Sequence, residues 1–256
     1  MTGIEVTGKT MLVTGGSQGI GGAIADRFAQ LGARVVIADV NEAGAEKAAQ
    51  LNEAGHEAYF IRCDVSSSED IRALAAEVGE KLGAVSVLVN NAGIFPRADL
   101  LQTEEAFWER IMDINLKGTY LMCQAFVPGM IEQGGGSIVN IGSTHARMGS
   151  EDAMAYAVSK GGIVTLTRNL AKALGKHGIR VNVVQPGWVA SEGETARIIA
   201  SGVNPDKLFA DAGSRLLLGR MQTGQDVADS VLFLASSLSQ QVTGQVLTVD
   251  GGLSLR

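Results

Sequence analysis

The feature that most restricts how this chain can fold is an alternation repeated along its length. A short run of β-branched and aliphatic residues is followed, again and again, by a longer stretch with helical spacing. TMLVTG (10–15) precedes a helical pattern from Ile20 to Leu31, RVVIAD (34–39) one from Glu42 to Glu53, and AYFIRCD (58–64) one from Glu69 to Leu82. VSVLVN (85–90) leads into a long helical stretch around 104–133, and GSIVNIGS (136–143) into AMAYAVSKGGIVTLTRNLAKAL. IRVNVVQP (179–186) and QVLTVDGG (245–252) supply two further strands. Runs such as LVT, VVIA and VLV are apolar without a break, as parallel strands covered on both faces must be. The pattern predicts one α/β domain spanning 1–256: a doubly wound, seven-stranded, mostly parallel sheet with helices on both faces.

With 256 residues, 46% of them hydrophobic, the chain is long enough to build one such core. Its 33 glycines punctuate the elements and form no low-complexity tract. The net charge of −6 is spread out, and no basic cluster exists to track phosphates, so no nucleic-acid partner is expected. Cys63 and Cys123 fall in apolar segments and read as buried thiols. His56, His145 and His177 are scattered, so no metal site is expected. No apolar run approaches the ~18 residues of a membrane span, and the first ten residues lack a signal-peptide pattern. The expected location is cytoplasmic, with no membrane partner.

The first strand runs into TGGSQGIG, Thr14 to Gly21. Gly15, Gly19 and Gly21 let the backbone turn sharply and approach a ligand, and the helix that follows aims its free N–H groups and positive dipole end at any pyrophosphate. The spacing is GxxxGxG, which differs from the common GxGxxG fingerprint, and many glycine turns are only tight turns. The second strand ends at Asp39, where a carboxylate fits hydrogen bonding to a ribose diol. The same charge would repel a 2′-phosphate by roughly 4 kcal/mol at about 4 Å and an effective dielectric near 20. Ser17 and Gln18 in the loop are neutral and offset none of this, so the expected cofactor is NAD, in a Rossmann-type fold. Ligands of such sheets bind outside the carboxyl ends of the strands. The long insertion 188–220 lies there and reads as a substrate lid.

Tyr156 and Lys160 stand four residues apart on a helix of small residues, which places both side chains on one face. A packed ring and a snorkelling amine would account for the pair taken alone. The chemical alternative is a phenol whose pKa a neighbouring ammonium lowers toward the range useful to a general base.

The motifs together resemble the short-chain dehydrogenase/reductase family over nearly the whole chain, from Lys9 to Leu253. TGGSQGIG is similar to its cofactor loop, which assigns Gly15, Ser17, Gln18, Gly19 and Ile20 to the dinucleotide. Asp64 and Val65 match the pair that holds the adenine, and Asn91, Ala92 and Gly93 of NNAG line the cofactor site. The resemblance implies a catalytic tetrad of Asn115 (in DINLKG), Ser143 (in IVNIGST), Tyr156 and Lys160, with the last two also reaching the cofactor. By the same resemblance Asn115 bends its helix and holds a water that links Lys160 to solvent. Pro186 and Gly187 then face the nicotinamide, with Val189 and Ser191 beside it. Ser191 stands where the family usually has threonine.

Phe95, Pro96, Arg97, His145, Met148 and Trp188, with the lid, are the expected walls of a substrate pocket, and Phe95, His145 and Trp188 are the expected substrate contacts. Their apolar and aromatic character favours an aryl or medium-sized alcohol or ketone. Arg97 and Arg147 are candidate anion holders, though a solvated loop charge also explains each. Sugar and pyridoxal dehydrogenases share the skeleton, and so do 3-oxoacyl-thioester reductases, which usually take NADP. A non-catalytic NAD sensor would not need Ser143, Tyr156 and Lys160 together, and a Rossmann-like methyltransferase has no use for YxxxK. The resemblance also implies a homotetramer built through the helices at 104–133 and 153–176 and the C-terminal tail.

Overall fold

The computed structural model describes residues 5–255. Seven strands, β1 (Thr10–Thr14), β2 (Arg34–Asp39), β3 (Glu57–Arg62), β4 (Val87–Asn90), β5 (Gly136–Ile141), β6 (Ile179–Pro186) and β7 (Val246–Val249), form one sheet in the order 3-2-1-4-5-6-7. Every pairing is parallel. The order reverses between β1 and β4, which opens a crevice at their carboxyl ends.

Strand periodicity of two distributes the apolar runs to both faces. Met11, Val13, Val35 and Ile37 pack with α1 (Gly19–Gln30), and α9 (Gly224–Ala235) lies on the same face. Leu12, Val36 and Leu88 face the other way, against α3 (Ser68–Leu82) and α5 (Gly118–Glu132). Each central strand is therefore buried on both sides, which is why its sequence does not alternate. The remaining helices are α2 (Ala43–Glu53), α4 (Glu105–Met112), α6 (Met154–Leu174), α7 (Glu192–Ala200) and α8 (Pro205–Ser214). Cys63 and Cys123 are both free and buried, as their apolar neighbours imply. Among the described residues, no helix is long and apolar enough to cross a membrane.

Two stretches depart from simple helices. The helical segment at 104–133 is broken by one π-turn, Asp113–Lys117, between α4 and α5. Asn115 sits in that turn, fully buried. Its side-chain oxygen accepts from Ile94 N–H (2.8 Å), and its amide donates to Ile94 C=O (3.0 Å) and to Ser159 Oγ (3.1 Å). A π-bulge of this kind aims a side chain out of helical register. The insertion 188–220 holds two short helices, each with a side-chain cap. Ser191 caps α7 by accepting from Glu194 N–H, and Asn204 caps α8 by accepting from Lys207 N–H, with Pro205 in the first turn.

Candidate active site

One cavity of about 1090 Å³ runs along the carboxyl ends of the strands. Gly15, Gln18, Gly19 and Ile20 form its floor at the switch point, Asp39, Asp64 and Val65 one end, and Ser143, Tyr156 and Lys160 the other. Gly15 and Gly19 hold φ of +63° and +59°, which ordinary residues avoid. A Cβ at Gly21 would collide with the Gly15 carbonyl and the Asn91 amide, so the loop closes this tightly only with glycine there. α1 starts on this loop with no acid in its first turn and no side-chain N-cap bond. An anion is the group that such a helix end accommodates.

Asp39 is held in place by two backbone donors, Ser17 N–H to Oδ2 (3.1 Å) and Asn41 N–H to Oδ1 (3.1 Å). Ser17 itself is turned from the cavity wall, and its hydroxyl donates to Asn41 C=O (3.2 Å). Its contribution is to fix Asp39 and the adjoining turn. Asn91 donates to the Thr14 and Gly15 carbonyls (2.9 Å each), tying β4 to the glycine loop, while its backbone joins Ala92 and Gly93 in the wall.

At the other end α6 presents Tyr156 and Lys160 together. Lys160 is 3% exposed, and its ammonium donates to Ile141 C=O (2.8 Å) and lies 5.7 Å from the Tyr156 ring centroid. Burial pushes Lys160 down to about 8. Burial also raises the Tyr156 phenol above its ordinary value, and the Ser143 hydroxyl partly opposes that rise. The expected lowering of the phenol by Lys160 acts together with the charge of an oxidised nicotinamide; in the ligand-free protein burial is the larger influence. Desolvation is the largest influence on both groups. Ser143 Oγ accepts from His145 N–H (3.2 Å) and is 3.4 Å from His145 Nδ1. Burial and then the Arg97 charge lower His145, which favours the neutral ring.

The substrate end is aromatic. Phe95 lies 4.2 Å from Tyr156 and 5.2 Å from His145, centroid to centroid, and the Arg97 guanidinium stands 5.0 Å from the Phe95 ring centre. Arg97 Nη1 pairs with Asp152 Oδ2 (3.0 Å). Opposite, Trp188 packs edge-on against Phe209 of the lid and donates from Nε1 to Glu194 (2.8 Å), which also holds Arg197. The lid meets the glycine loop where Gly19 N–H donates to Glu192 Oε2 (3.0 Å).

Met148, Pro186, Gly187, Val189 and Ser191 also reach the cavity, whereas Asn115, Pro96 and Arg147 do not line it. Asn115 packs behind the wall, beside Gly93 and the Lys160 ammonium. Sequence reasoning passed over Arg62, and it covered Glu194 and Arg197 only as part of the segment from Ser191 onward; all three line the cavity. Glu194 had a signal, since Ser191-x-x-Glu194 reads as a helix-start capping box. Its carboxylate instead turns inward to Trp188 and Arg197.

A cleft with an anion-accepting helix end, a fixed acid and a phenol beside a buried amine is the architecture of a dinucleotide-dependent oxidoreductase. A family model described as enoyl-(acyl carrier protein) reductase matches residues 15–254. The 2-(S)-hydroxypropyl-CoM dehydrogenase 3 of Xanthobacter autotrophicus is 37% identical over 247 residues, 96% of each chain. The probable galactose dehydrogenase GalD of Rhizobium meliloti is 39% identical over 254 residues, covering 97% of this chain and 96% of its own. The ligand-free aldohexose dehydrogenase of Thermoplasma acidophilum superposes with a TM-score of 0.89 at 33% identity, over 99% of this chain and 96% of that one. The chain belongs to the short-chain dehydrogenase/reductase family and is an oxidoreductase acting on CH–OH groups.

Proposed function

We propose that the protein is an NAD-dependent dehydrogenase that interconverts a secondary alcohol, or a hemiacetal or aldehyde, with its oxidised partner, using Tyr156 as general acid and base. The observation that carries this reading is that Ser143, Tyr156 and Lys160 meet at one end of a cavity whose other end holds a fixed Asp39, with Ser143 and Lys160 buried and the Tyr156 phenol half-buried at the wall. The residues present fit a nicotinamide dinucleotide: Gln18, Gly19 and Ile20 would hold its phosphates, Asp39 its adenosine ribose, Asp64 and Val65 its adenine. Pro186, Gly187, Val189 and Ser191 would face the nicotinamide, with the Ser191 hydroxyl proton free to donate. When bound, that group accepts or supplies the hydride and carries a positive charge in its oxidised form.

The chain's own residues handle the proton. Tyr156 removes it from the substrate hydroxyl in oxidation and returns it in reduction. Ser143 donates a hydrogen bond to the same oxygen as charge develops there. Lys160, beside Tyr156, would also hold the nicotinamide ribose, and its positive charge favours the phenolate once the cleft is filled. Asn115 positions this set from behind, and a water carried beside it would link Lys160 to solvent. Phe95, His145 and Trp188 wall a pocket suited to an aryl or medium-sized ring. The galactose and aldohexose dehydrogenases among the relatives support a sugar as the second reading.

Offered NAD with a panel of secondary alcohols, aryl carbinols, pyridoxal and sugars, the protein is expected to form NADH with at least one. A flat absorbance across the whole panel, with dinucleotide binding intact, would overturn this substrate class and leave a sensor or a 3-oxoacyl-thioester reductase. Asp39→Arg is expected to shift the ratio of NAD to NADP affinity by at least tenfold toward NADP, since it exchanges a repulsive charge for an attractive one. An unchanged ratio in calorimetry would remove Asp39 from the ribose. We further propose a cytoplasmic homotetramer. Tyr120 on α5 and Val158 on α6, each 45% exposed, support burial of those helices between subunits.

A further inference from the structure

We infer that Arg62 is a second determinant of cofactor choice, a cation that stands beside Asp39 and softens its rejection of a ribose 2′-phosphate. This rests on the reading of Asp39 as the ribose ligand. In the sheet Asp39 and Arg62 are direct partners across the β2–β3 pairing, so both side chains leave the same face at the same strand ends. Both line the cavity.

The two are held very differently. Asp39 is clamped by two backbone N–H groups, and so its charge stays at the rim whatever binds. Arg62 is 59% exposed, and its guanidinium reaches only long contacts, 3.8 Å to Glu42 and 3.8 Å to Asp70. Those distances lie beyond hydrogen-bond range, which leaves the fork of donors free to turn. A guanidinium meets a phosphate through two parallel charge-assisted bonds, better than either of its present partners offers. Three carboxylates, Asp39, Glu42 and Asp70, still surround it, so the rim as a whole disfavours the extra phosphate. Arg62 reduces the margin without reversing it.

The probes are 5′-AMP, which carries the ribose diol, and 2′,5′-ADP, which adds the 2′-phosphate. Calorimetry on the full-length protein reads their affinities directly, with no turnover involved. Arg62→Ala is expected to weaken 2′,5′-ADP about tenfold and to leave 5′-AMP within about twofold. Asp39→Ser is expected to tighten 2′,5′-ADP at least tenfold, and adding Arg62→Ala to that variant should abolish most of the gain. The paired comparison in the Asp39→Ser background decides the matter even where wild-type binding of 2′,5′-ADP is weak. Equal weakening of both probes by Arg62→Ala would make Arg62 an adenine or packing contact and overturn the inference. So would no weakening of either. Failure of 5′-AMP to bind the wild-type protein would instead overturn the assignment of Asp39 to the ribose.

Discussion

Tyr156→Phe is expected to lower turnover at least ~100-fold while leaving dinucleotide affinity within about twofold. The substitution removes one oxygen and little else. The ring stays packed 4.2 Å from Phe95 and edge-on to His145, so the pocket walls keep their shape. What is lost is the only step that the phenol performs, general acid–base transfer, typically worth 10²–10⁴-fold. The loss belongs in kcat, because the proton moves in the transition state and not on binding. Steady-state kinetics with any substrate that the wild type accepts, beside calorimetry with NAD, separates the two. Undiminished turnover would reject the proton-transfer role, and a matching loss of NAD affinity would point to a collapsed cleft.

Lys160→Met is expected to abolish turnover to a similar degree without weakening the fold. The ammonium is enclosed, and its folded pKa of about 8 lies below its ordinary value of 10.5. At pH 7 the folded protein thus carries a buried charge at a cost of about 3 kcal/mol, from roughly 1.4 kcal/mol per unit. Methionine removes that cost but strands the Ile141 carbonyl, a loss of about 1–3 kcal/mol. The balance at pH 7 is a variant as stable as wild type or up to about 2 kcal/mol more so. The sign has a pH signature. Between about 8 and 10.5 the unfolded chain binds the proton more tightly than the folded one, so wild-type stability climbs with pH across that window. The advantage of the variant should shrink over the same range. Urea titrations at pH 7 and pH 10 check this, and a variant less stable by more than 1 kcal/mol at pH 7 would show that Lys160 is structural. A costly buried charge retained beside a phenol is what a functional site leaves behind.

Much of this was legible in the sequence, for physical reasons that differ from residue to residue. All seven strands fall within a few residues of their predicted runs, most cleanly β1, β2 and β4, whose two-sided burial leaves little room for polar interruptions. The glycine loop was legible because only glycine tolerates its positive φ and its crowding at Gly21. The family motifs placed Ser143, Tyr156 and Lys160, and the cavity holds all three. What escaped was whatever depends on two distant segments meeting. Arg62 lies beside Asp39 only because β2 and β3 pair in that register. The turn of Glu194 toward Trp188, and the reach of Glu192 to Gly19 across 173 positions, have no local signature. The weight of burial on Tyr156 was not legible either. Spacing on a helix gives the distance between two groups but not how far the protein shields each from water, which is the largest influence on both in the ligand-free protein.

The role of Tyr156 is tested most directly by the pH dependence of kcat/KM for one substrate pair in both directions. Alcohol oxidation requires the phenolate and should rise with pH to a plateau. Carbonyl reduction requires the phenol and should fall through the same range, and both dependences should vanish in the residual activity of Tyr156→Phe. Profiles that run the same way in both directions, or that survive in the phenylalanine variant, would mean that another group moves the proton.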